Sequence, residues 1–269
     1  MTTITARAPA RARGALAAEW IKLRSVRSTY LALATAALAA IGLSYLITHY
    51  QARSTPSWAH MSAHARAAWD PVAYSLGGLS IAQLAFGVLG VLVISSEYAT
   101  GLIRITFTAV PRRRAVLAAK AAVTGAAAFT VGVLLALACF VLTQAILSSG
   151  HRGLSLSHPG APGAVLAAGL AVAVSAVVGV GAGAIIRHTA GGIAAAVILV
   201  YLLGVLCLIL PAPWNTRLGR FTLPFAAYQA VTLHPKEGLL SPGLSVLVLV
   251  AWPAVTLLVA SAVIVRRDV

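Results

Sequence analysis

Six long apolar stretches, separated by shorter polar or basic segments, dominate the hydropathy pattern of this chain. They cover residues 28–48, 76–96, 118–147, 163–186, 190–210 and 245–265. Each stretch is as long as the roughly 20 mostly apolar residues that a helix needs to cross a bilayer. Lys120 is the one charged residue inside them, and since it stands near the end of its stretch we expect its ammonium group to reach the membrane interface. The pattern predicts six transmembrane helices.

The composition agrees with this interpretation. Hydrophobic residues make up 60% of the chain and charged residues 9%, whereas a soluble domain has an apolar share of about 45–50%. We therefore predict an all-α integral membrane protein. Its single transmembrane domain is expected at residues 14–269, after a basic, disordered tail at residues 1–13. Cys139 and Cys207 lie inside apolar stretches and are expected to be small, buried hydrophobic residues.

The basic residues are divided unevenly between the two sides of the membrane. If the six stretches alternate in direction, fourteen of the twenty Lys and Arg residues fall on the side that carries both chain ends. Positive residues accumulate on the cytoplasmic side of membrane proteins, which predicts a multi-pass membrane protein with both termini in the cytoplasm. The net charge of +15 then reflects contact with the lipid bilayer, and no nucleic-acid partner is predicted.

Residues 14–27 form an amphipathic segment before the first span. Leu16, Trp20 and Leu23 recur there at helical spacing. The charged residues among them are Glu19, Lys22, Arg24 and Arg27. This pattern predicts a short helix that lies in the membrane interface with Trp20 as its anchor. The alternative is that the segment is only the polar extension of the first span.

The connection at residues 211–242, between the fifth and sixth spans, is long and interrupted by prolines. Its centre, residues 218–231, remains rich in apolar and aromatic residues but is too short and too interrupted to cross a membrane. Irregular backbone is tolerated at membrane depth only where protein covers it. We therefore predict short re-entrant or interfacial helices on the extracellular side.

The sequence lacks the motifs of several function classes. A P-loop needs a lysine directly after its glycine-rich turn, whereas the lysines here follow Ile21, Ala119 and Pro235. The centres of the spans contain no Asp, Glu, His, Lys or Arg, so the usual side chains for proton or ion coupling are missing, although backbone carbonyls can still bind an ion. We predict a chain with no catalytic residues, no cofactor and no metal of its own.

Two small motifs have a structural and a functional interpretation. His60 and His64 have the spacing that places two imidazoles on one helical face, as in a metal site. Asp70 is the nearest further candidate ligand, and a solvated loop helix is the favoured interpretation. Gly179 and Gly183 form a pair of small residues one turn apart, which lets another helix approach closely. Close helix packing is their predicted role.

The connection after the second span, residues 97–114, carries the polar constellation most typical of function. It retains apolar residues, and exposed apolar residues on a cytoplasmic loop usually mean that a partner covers them. The alternation of Ile103, Ile105 and Phe107 is as compatible with a strand as with a helix.

The connection also carries charges of both signs. Its lone acid, Glu97, stands at the span boundary and is expected to stay hydrated, to cap the helix that follows, or to pair with an arginine. The arginines at 112–114 also have a simple interpretation as topology anchors.

These segments resemble the type 2 family of ATP-binding-cassette (ABC) exporter permeases, especially its short six-span subunits in Gram-positive bacteria. Residues 19–25 are similar to the family's basic amphipathic start. The family's second-span exit has the form Ser-Glu-Tyr…Thr-Gly-x-Ile-Arg…Pro-Arg-Arg…Lys. The matching residues are Ser96, Glu97, Tyr98, Thr100, Gly101, Ile103, Arg104, Pro111, Arg112, Arg113 and Lys120. The likeness covers the whole chain in the number and order of spans.

The resemblance implies a permease subunit that pairs with a second permease copy, either itself or a related chain, and with two cytoplasmic ABC ATPase subunits that bind the ATP and Mg. It also implies a coupling helix at residues 98–108, seated in a cleft of the ATPase. The coupling interface implied in this way comprises Glu97, Tyr98, Thr100, Gly101, Leu102, Ile103 and Arg104.

The spans would form a largely apolar path through the membrane. An uncharged path favours an amphipathic or hydrophobic cargo such as a drug, a lipid or a peptide-like natural product. Two rival functions are an ATPase-independent channel or carrier, and a membrane-embedded enzyme or assembly factor.

Overall fold

The computed structural model describes residues 8–25, 27–56, 58–109, 112–148, 151–234 and 238–266. These ranges contain helices and no strands. The α-helices are α1 (Ala8–Ser25), α2 (Arg27–Ser54), α3 (Ala63–Ala67), α4 (Pro71–Leu76), α5 (Leu79–Ala99), α6 (Leu102–Ala109), α7 (Arg113–Ser148), α8 (Ala161–Ile186), α9 (Thr189–Val197), α10 (Leu203–Ile209), α11 (Trp214–Gly219), α12 (Leu223–Val231) and α13 (Pro242–Arg266). A 3₁₀ turn at Trp58–His60 and a π-helical turn at Ile198–Leu202 complete the helical elements.

Six helical segments in the described ranges are long and apolar enough to cross a membrane. They are Tyr30–Ser54, Leu79–Ala99, Arg113–Ser148, Ala161–Ile186, Thr189–Ile209 and Pro242–Arg266. Each overlaps one predicted stretch, so the prediction of an all-α, multi-pass membrane protein is confirmed. The helix of the third span, α7, begins at Arg113 rather than near residue 118, because Arg and Ala are good helix formers and extend the helix beyond its apolar part.

The N-terminal helix begins earlier than predicted. Residues 8–13, expected in the disordered tail, form the first turns of α1, and residues 1–7 lie outside the described residues. Apart from Pro9 these positions are alanine and arginine, which have high helix propensity, and proline is tolerated in a first turn. The amphipathic segment predicted from residue 14 is therefore part of a longer helix.

The fifth span contains a feature that the sequence pattern did not predict. Its helix passes through the π-turn Ile198–Leu202 between α9 and α10. An uninterrupted apolar run predicts a regular α-helix. The extra residue of a π-turn does not change the hydropathy pattern of such a run. Val200, inside the turn, is buried and faces α5, where a Cβ on Gly87 would lie 3.4 Å from the Val200 Cγ2 atom.

Helix α8 is the centre of the bundle. Most of its length is buried, and α5, α7 and α13 pack against it. Its sequence consists largely of alanine, glycine and valine, whose small side chains let neighbouring helix backbones approach closely. The other spans are therefore arranged around one buried helix of small residues.

Gly179 and Gly183 lie on the face of α8 that contacts α5. A Cβ on Gly179 would overlap the backbone carbonyl oxygen of Gly87, and a Cβ on Gly183 would lie 2.7 Å from the Ile94 Cγ2 atom. On the α5 side, a Cβ on Gly90 would overlap the carbonyl oxygen of Ala176. Glycines on both helices therefore set the distance between the second and fourth spans.

We expect Gly179→Ala to lower the free energy of unfolding by about 2 kcal/mol, because the added methyl group meets backbone that cannot move aside. Gly163→Ala on the same helix is the matched control, since no described residue lies within 4 Å of its Cβ position. The control should be neutral or slightly stabilising, because alanine favours helix over glycine. Thermal unfolding of the two variants in detergent measures the difference, and equal stability would contradict the close α5–α8 contact.

The connections after the first, third and fifth spans lie at one end of the bundle. We call this end the loop side. Asp70 is buried there and caps α4 by accepting a hydrogen bond from the Ala73 backbone N–H at 3.0 Å. Its Oδ2 atom accepts from the Thr232 hydroxyl at 2.5 Å and from the Leu233 N–H at 2.7 Å. This carboxylate therefore joins the first connection to the segment that follows α12.

The prolines at 211–242 separate two short helices, α11 and α12, in agreement with the predicted short helices. Helix α12 packs against α13 and α8, and Leu223, Ala226 and Gln229 within it are buried. The Gln229 amide donates to the Phe225 carbonyl at 2.9 Å and its oxygen accepts from the Leu240 N–H at 2.6 Å. Helix α12 is thus covered by protein, whereas Trp214 and Leu218 of α11 are about half exposed.

Candidate functional site on the terminal side

The opposite end of the bundle, which we call the terminal side, carries α1, α6 and the end of α13. Four charged side chains from three helices meet there: Glu19 and Lys22 of α1, Glu97 in the last turn of α5, and Lys120 in the second turn of α7. The Lys120 ammonium lies 2.5 Å from Glu19 Oε2 and 2.9 Å from Glu97 Oε1. The Lys22 ammonium lies 3.0 Å from Glu19 Oε1 and 2.8 Å from Glu97 Oε1. We call these residues the ion cluster.

The ion cluster is buried except at one corner. The side chain of Lys120 is 1% exposed and those of Glu19 and Glu97 are 7% exposed, whereas Lys22 is 44% exposed. The prediction that Lys120 reaches the membrane interface is therefore wrong. Its ammonium group stays inside because two carboxylates and the Val93 carbonyl, 3.4 Å away, accept its hydrogen bonds.

The cluster contains two positive and two negative groups, and this balance allows its burial. Taking a charge out of water is costly unless a partner of opposite sign is close by. At Lys22, burial by itself lowers the pKa, but the hydrogen bonds to Glu97 and Glu19 outweigh it and raise the pKa above 10.5. Lys22 is therefore fully charged at neutral pH.

Glu97 differs from the three alternatives that the sequence left open. Within the described ranges it is buried rather than hydrated, caps no helix, and pairs with two lysines rather than with an arginine. The reason is the position of α1, which brings Lys22 next to a residue 75 positions later in the chain. The second carboxylate oxygen of Glu97, Oε2, is buried with no hydrogen-bond partner among the described residues.

Helix α6 follows the cluster at the end of the second span. The structure resolves the choice between helix and strand in favour of helix. One face packs inward, with Ile103 2% exposed and Phe107 against the buried group that includes Ile94 and Ile264. On another face Leu102 is 50% and Ile105 66% exposed.

Thr100 and Gly101 connect α6 to α5, the helix of the second span. The Thr100 hydroxyl donates to the Ser96 carbonyl at 2.8 Å. Gly101 links α5 to α6 with a φ of 72°, a left-handed conformation that side chains with a Cβ disfavour. No described residue has an atom within 4 Å of a Cβ on Gly101, and it is the backbone angle that calls for glycine. Arg104, also on α6, is exposed to solvent.

Arg187 and Arg113 connect helices on the terminal side through contacts with aromatic rings. The Arg187 guanidinium lies 5.4 Å from the centre of the Tyr98 ring, and this contact joins the turn after α8 to the end of α5. The Arg113 Nη1 atom donates to the Ile264 carbonyl at 3.2 Å, and the same guanidinium lies 5.5 Å from the Phe107 ring. Arg187 was missed by the sequence analysis, and its isolated position in a tight turn between two apolar spans was the available signal.

The remaining residues of the predicted interfacial helix lie on the outer surface of α1. Trp20 is 47% exposed, and the Arg24 guanidinium lies 5.9 Å from its ring. Helix α1 packs against α7. The α1 helix therefore presents an aromatic and basic surface outward, while its Glu19 is buried in the ion cluster.

The terminal side is held together by charged side chains from three helices. Among the described residues no group of three His, Cys, Asp or Glu is placed to hold a metal ion. His60 lies in the 3₁₀ turn and His64 in α3 on the loop side, so they share no helical face. Cys139 and Cys207 are buried free thiols, as predicted. What this side offers instead is a set of charges that ties α1, α5 and α7 together beside α6.

Comparison with protein-family models gave no match for this chain. Comparison with curated proteins gave no match either. A functional assignment must therefore be argued from the residues and their geometry.

Proposed function

We propose that this chain is the membrane subunit of a type 2 ABC exporter, and that it couples to a cytoplasmic ATPase through α6. The observation that carries the proposal is the pair of exposed apolar residues on α6, Leu102 and Ile105, on a short helix outside the membrane-crossing part of the second span. Exposed apolar residues of this kind favour a covering partner. The resemblance of residues 96–120 to the permease family supports an ATPase as that partner.

The ion cluster supports the proposal because it ties the end of α5, from which the chain continues into α6, to α1 and α7. A force applied to α6 reaches α5 directly across Gly101. From Glu97 it passes to Lys120 of α7 and, through Lys22 and Glu19, to α1. A membrane subunit that is driven by a cytoplasmic ATPase needs the helix that binds the ATPase to be coupled rigidly to several spans.

In this proposal the chain itself is not an enzyme. ATP and Mg are bound by the ATPase partner, and hydrolysis there moves the spans of two permease copies. The path between the copies is largely apolar, which suits an amphipathic or hydrophobic cargo such as a drug, a lipid or a peptide-like natural product. A channel or carrier without an ATPase, or a membrane-embedded enzyme or assembly factor, is the rival function.

Purification of the tagged chain from its own cells in mild detergent tests the proposal. We expect an ATPase subunit to co-purify in roughly equal amount, and the chain alone to hydrolyse no ATP above background. If the folded chain purifies without any ATPase, one of the rival functions applies.

The proposal also places the protein in the bacterial plasma membrane with the terminal side in the cytoplasm. Fourteen of twenty basic residues on that side support this orientation through the positive-inside rule. In intact cells, an impermeant thiol reagent should label Ser62→Cys and should leave Arg114→Cys unlabelled. The buried native cysteines do not interfere, and labelling of Arg114→Cys alone would show the reverse orientation.

A further inference from the structure

A basic pocket lies where the third and sixth spans end on the terminal side. Arg112, Arg113, Arg114, Ala115 and Val265 line an open cavity of about 530 Å³. Arg113 is the first residue of α7, and Val265 is in the last turn of α13. The pocket is therefore at the level where two membrane-crossing helices leave the apolar layer.

One arginine of the pocket is held in place by neighbouring helices, and two are exposed. Arg113 is the arginine held in place, because it is anchored to the Ile264 carbonyl of α13 and to the Phe107 ring of α6. Arg112 and Arg114 on either side of it are exposed. The first turn of α7 adds the partial positive charge of a helix N-terminus to the same region.

None of the described residues that line this pocket is a carboxylate. Among the described residues, Glu19 and Glu97 are paired with the lysines of the ion cluster, and Asp70 lies on the loop side. Guanidinium groups form paired hydrogen bonds that match the oxygens of a phosphate. The chemistry of the pocket thus favours a phosphate-containing anion.

We propose that this pocket binds the phosphodiester headgroup of an anionic phospholipid. The apolar part of the lining, Ala115 and Val265, is exposed and suits the glycerol and first methylene groups of a lipid, which a free anion lacks. Basic pockets between spanning helices at the headgroup level bind anionic lipids in this manner. The site is independent of the proposed ATPase partner.

Lipid titration of the full-length chain in detergent, followed by native mass spectrometry, tests the site. The probes are short-chain phosphatidylglycerol, short-chain phosphatidylcholine and inorganic phosphate. For Arg112→Gln/Arg114→Gln we expect the affinity for the first bound phosphatidylglycerol to fall about 30-fold, at about 1 kcal/mol for each arginine near the membrane surface. Affinity for phosphatidylcholine should not change.

The matched control is Arg53→Gln/Arg217→Gln, which removes two exposed arginines on the loop side and the same total charge. It should bind phosphatidylglycerol as the wild type does. An equal loss in both double variants would overturn the proposal, because it would reflect net charge alone. Equal binding of phosphatidylcholine by the wild type, or displacement of phosphatidylglycerol by inorganic phosphate, would overturn it too.

If the glutamine variant does not fold, Arg112→Lys/Arg114→Lys decides the matter. Lysine keeps the charge but lacks the planar fork of two N–H donors, so we expect a loss of roughly threefold in phosphatidylglycerol affinity. Unchanged affinity in this variant would contradict recognition by the guanidinium groups.

Discussion

Lys120→Met is expected to destabilise the protein more than any other single substitution on the terminal side. Methionine occupies a similar volume but leaves the buried Glu19 and Glu97 carboxylates to share Lys22, whose side chain is 44% exposed. Removing one partner of a buried ion pair costs about 3–5 kcal/mol, because a buried charge is left uncompensated. Unfolding in detergent measures this loss, and we expect protease cleavage within α1 to increase in parallel.

A second substitution distinguishes charge balance from packing. In Lys120→Met/Glu19→Gln one carboxylate is removed together with the lysine, and Lys22 and Glu97 remain as a pair at 2.8 Å. We expect this double variant to recover most of the lost stability. If it is no more stable than Lys120→Met, the stability that Lys120 contributes does not come from charge balance, and the account of a balanced cluster is wrong.

Leu102→Glu/Ile105→Glu is expected to abolish association with an ATPase while leaving the fold intact. Both side chains are at least half exposed, so the substitutions disturb little within this chain. At an interface, central apolar anchors contribute about 2 kcal/mol or more each, and we expect association to weaken at least about a hundredfold. Quantitative co-purification from cells, with thermal unfolding as a check on folding, measures the effect.

Leu102→Met/Ile105→Met is the matched control for this prediction. It changes the same two positions but keeps an apolar surface of similar volume. It should retain the ATPase and the transport activity. If both double variants lose the partner, the helix tolerates no change at all, and the loss does not report on an apolar interface.

The six spans were predictable because span length is set by the thickness of the bilayer, and a long apolar run has few other structures available. Helix α6 was less predictable. Ile103, Ile105 and Phe107 alternate as they would in a strand, and only the packing of Ile103 and Phe107 on one helical face shows why the run is helical. The π-turn in the fifth span is invisible to a hydropathy pattern, since every residue around it is apolar.

The ion cluster was not predictable from local pattern. Glu19 and Lys120 are 101 residues apart in the chain and Lys22 and Glu97 are 75 apart, so no spacing rule joins them. A general signal was nevertheless present. The sequence has a lysine inside one predicted span and a lone acid at the end of the neighbouring span. Burying either charge costs free energy unless an opposite charge is close by, so a pairing of the two was the expected arrangement.

Site-specific photo-cross-linking from α6 tests the central claim most directly. A photoreactive amino acid is introduced at Ile105 in cells, and the matched position is Leu142 of α7, which is 51% exposed within the membrane-crossing part. The account predicts that Ile105 cross-links to a protein carrying its own P-loop, whereas Leu142 gives no such adduct. Lipid adducts alone at both positions would contradict it, because α6 would then be a membrane-interface helix and not the contact with an ATPase.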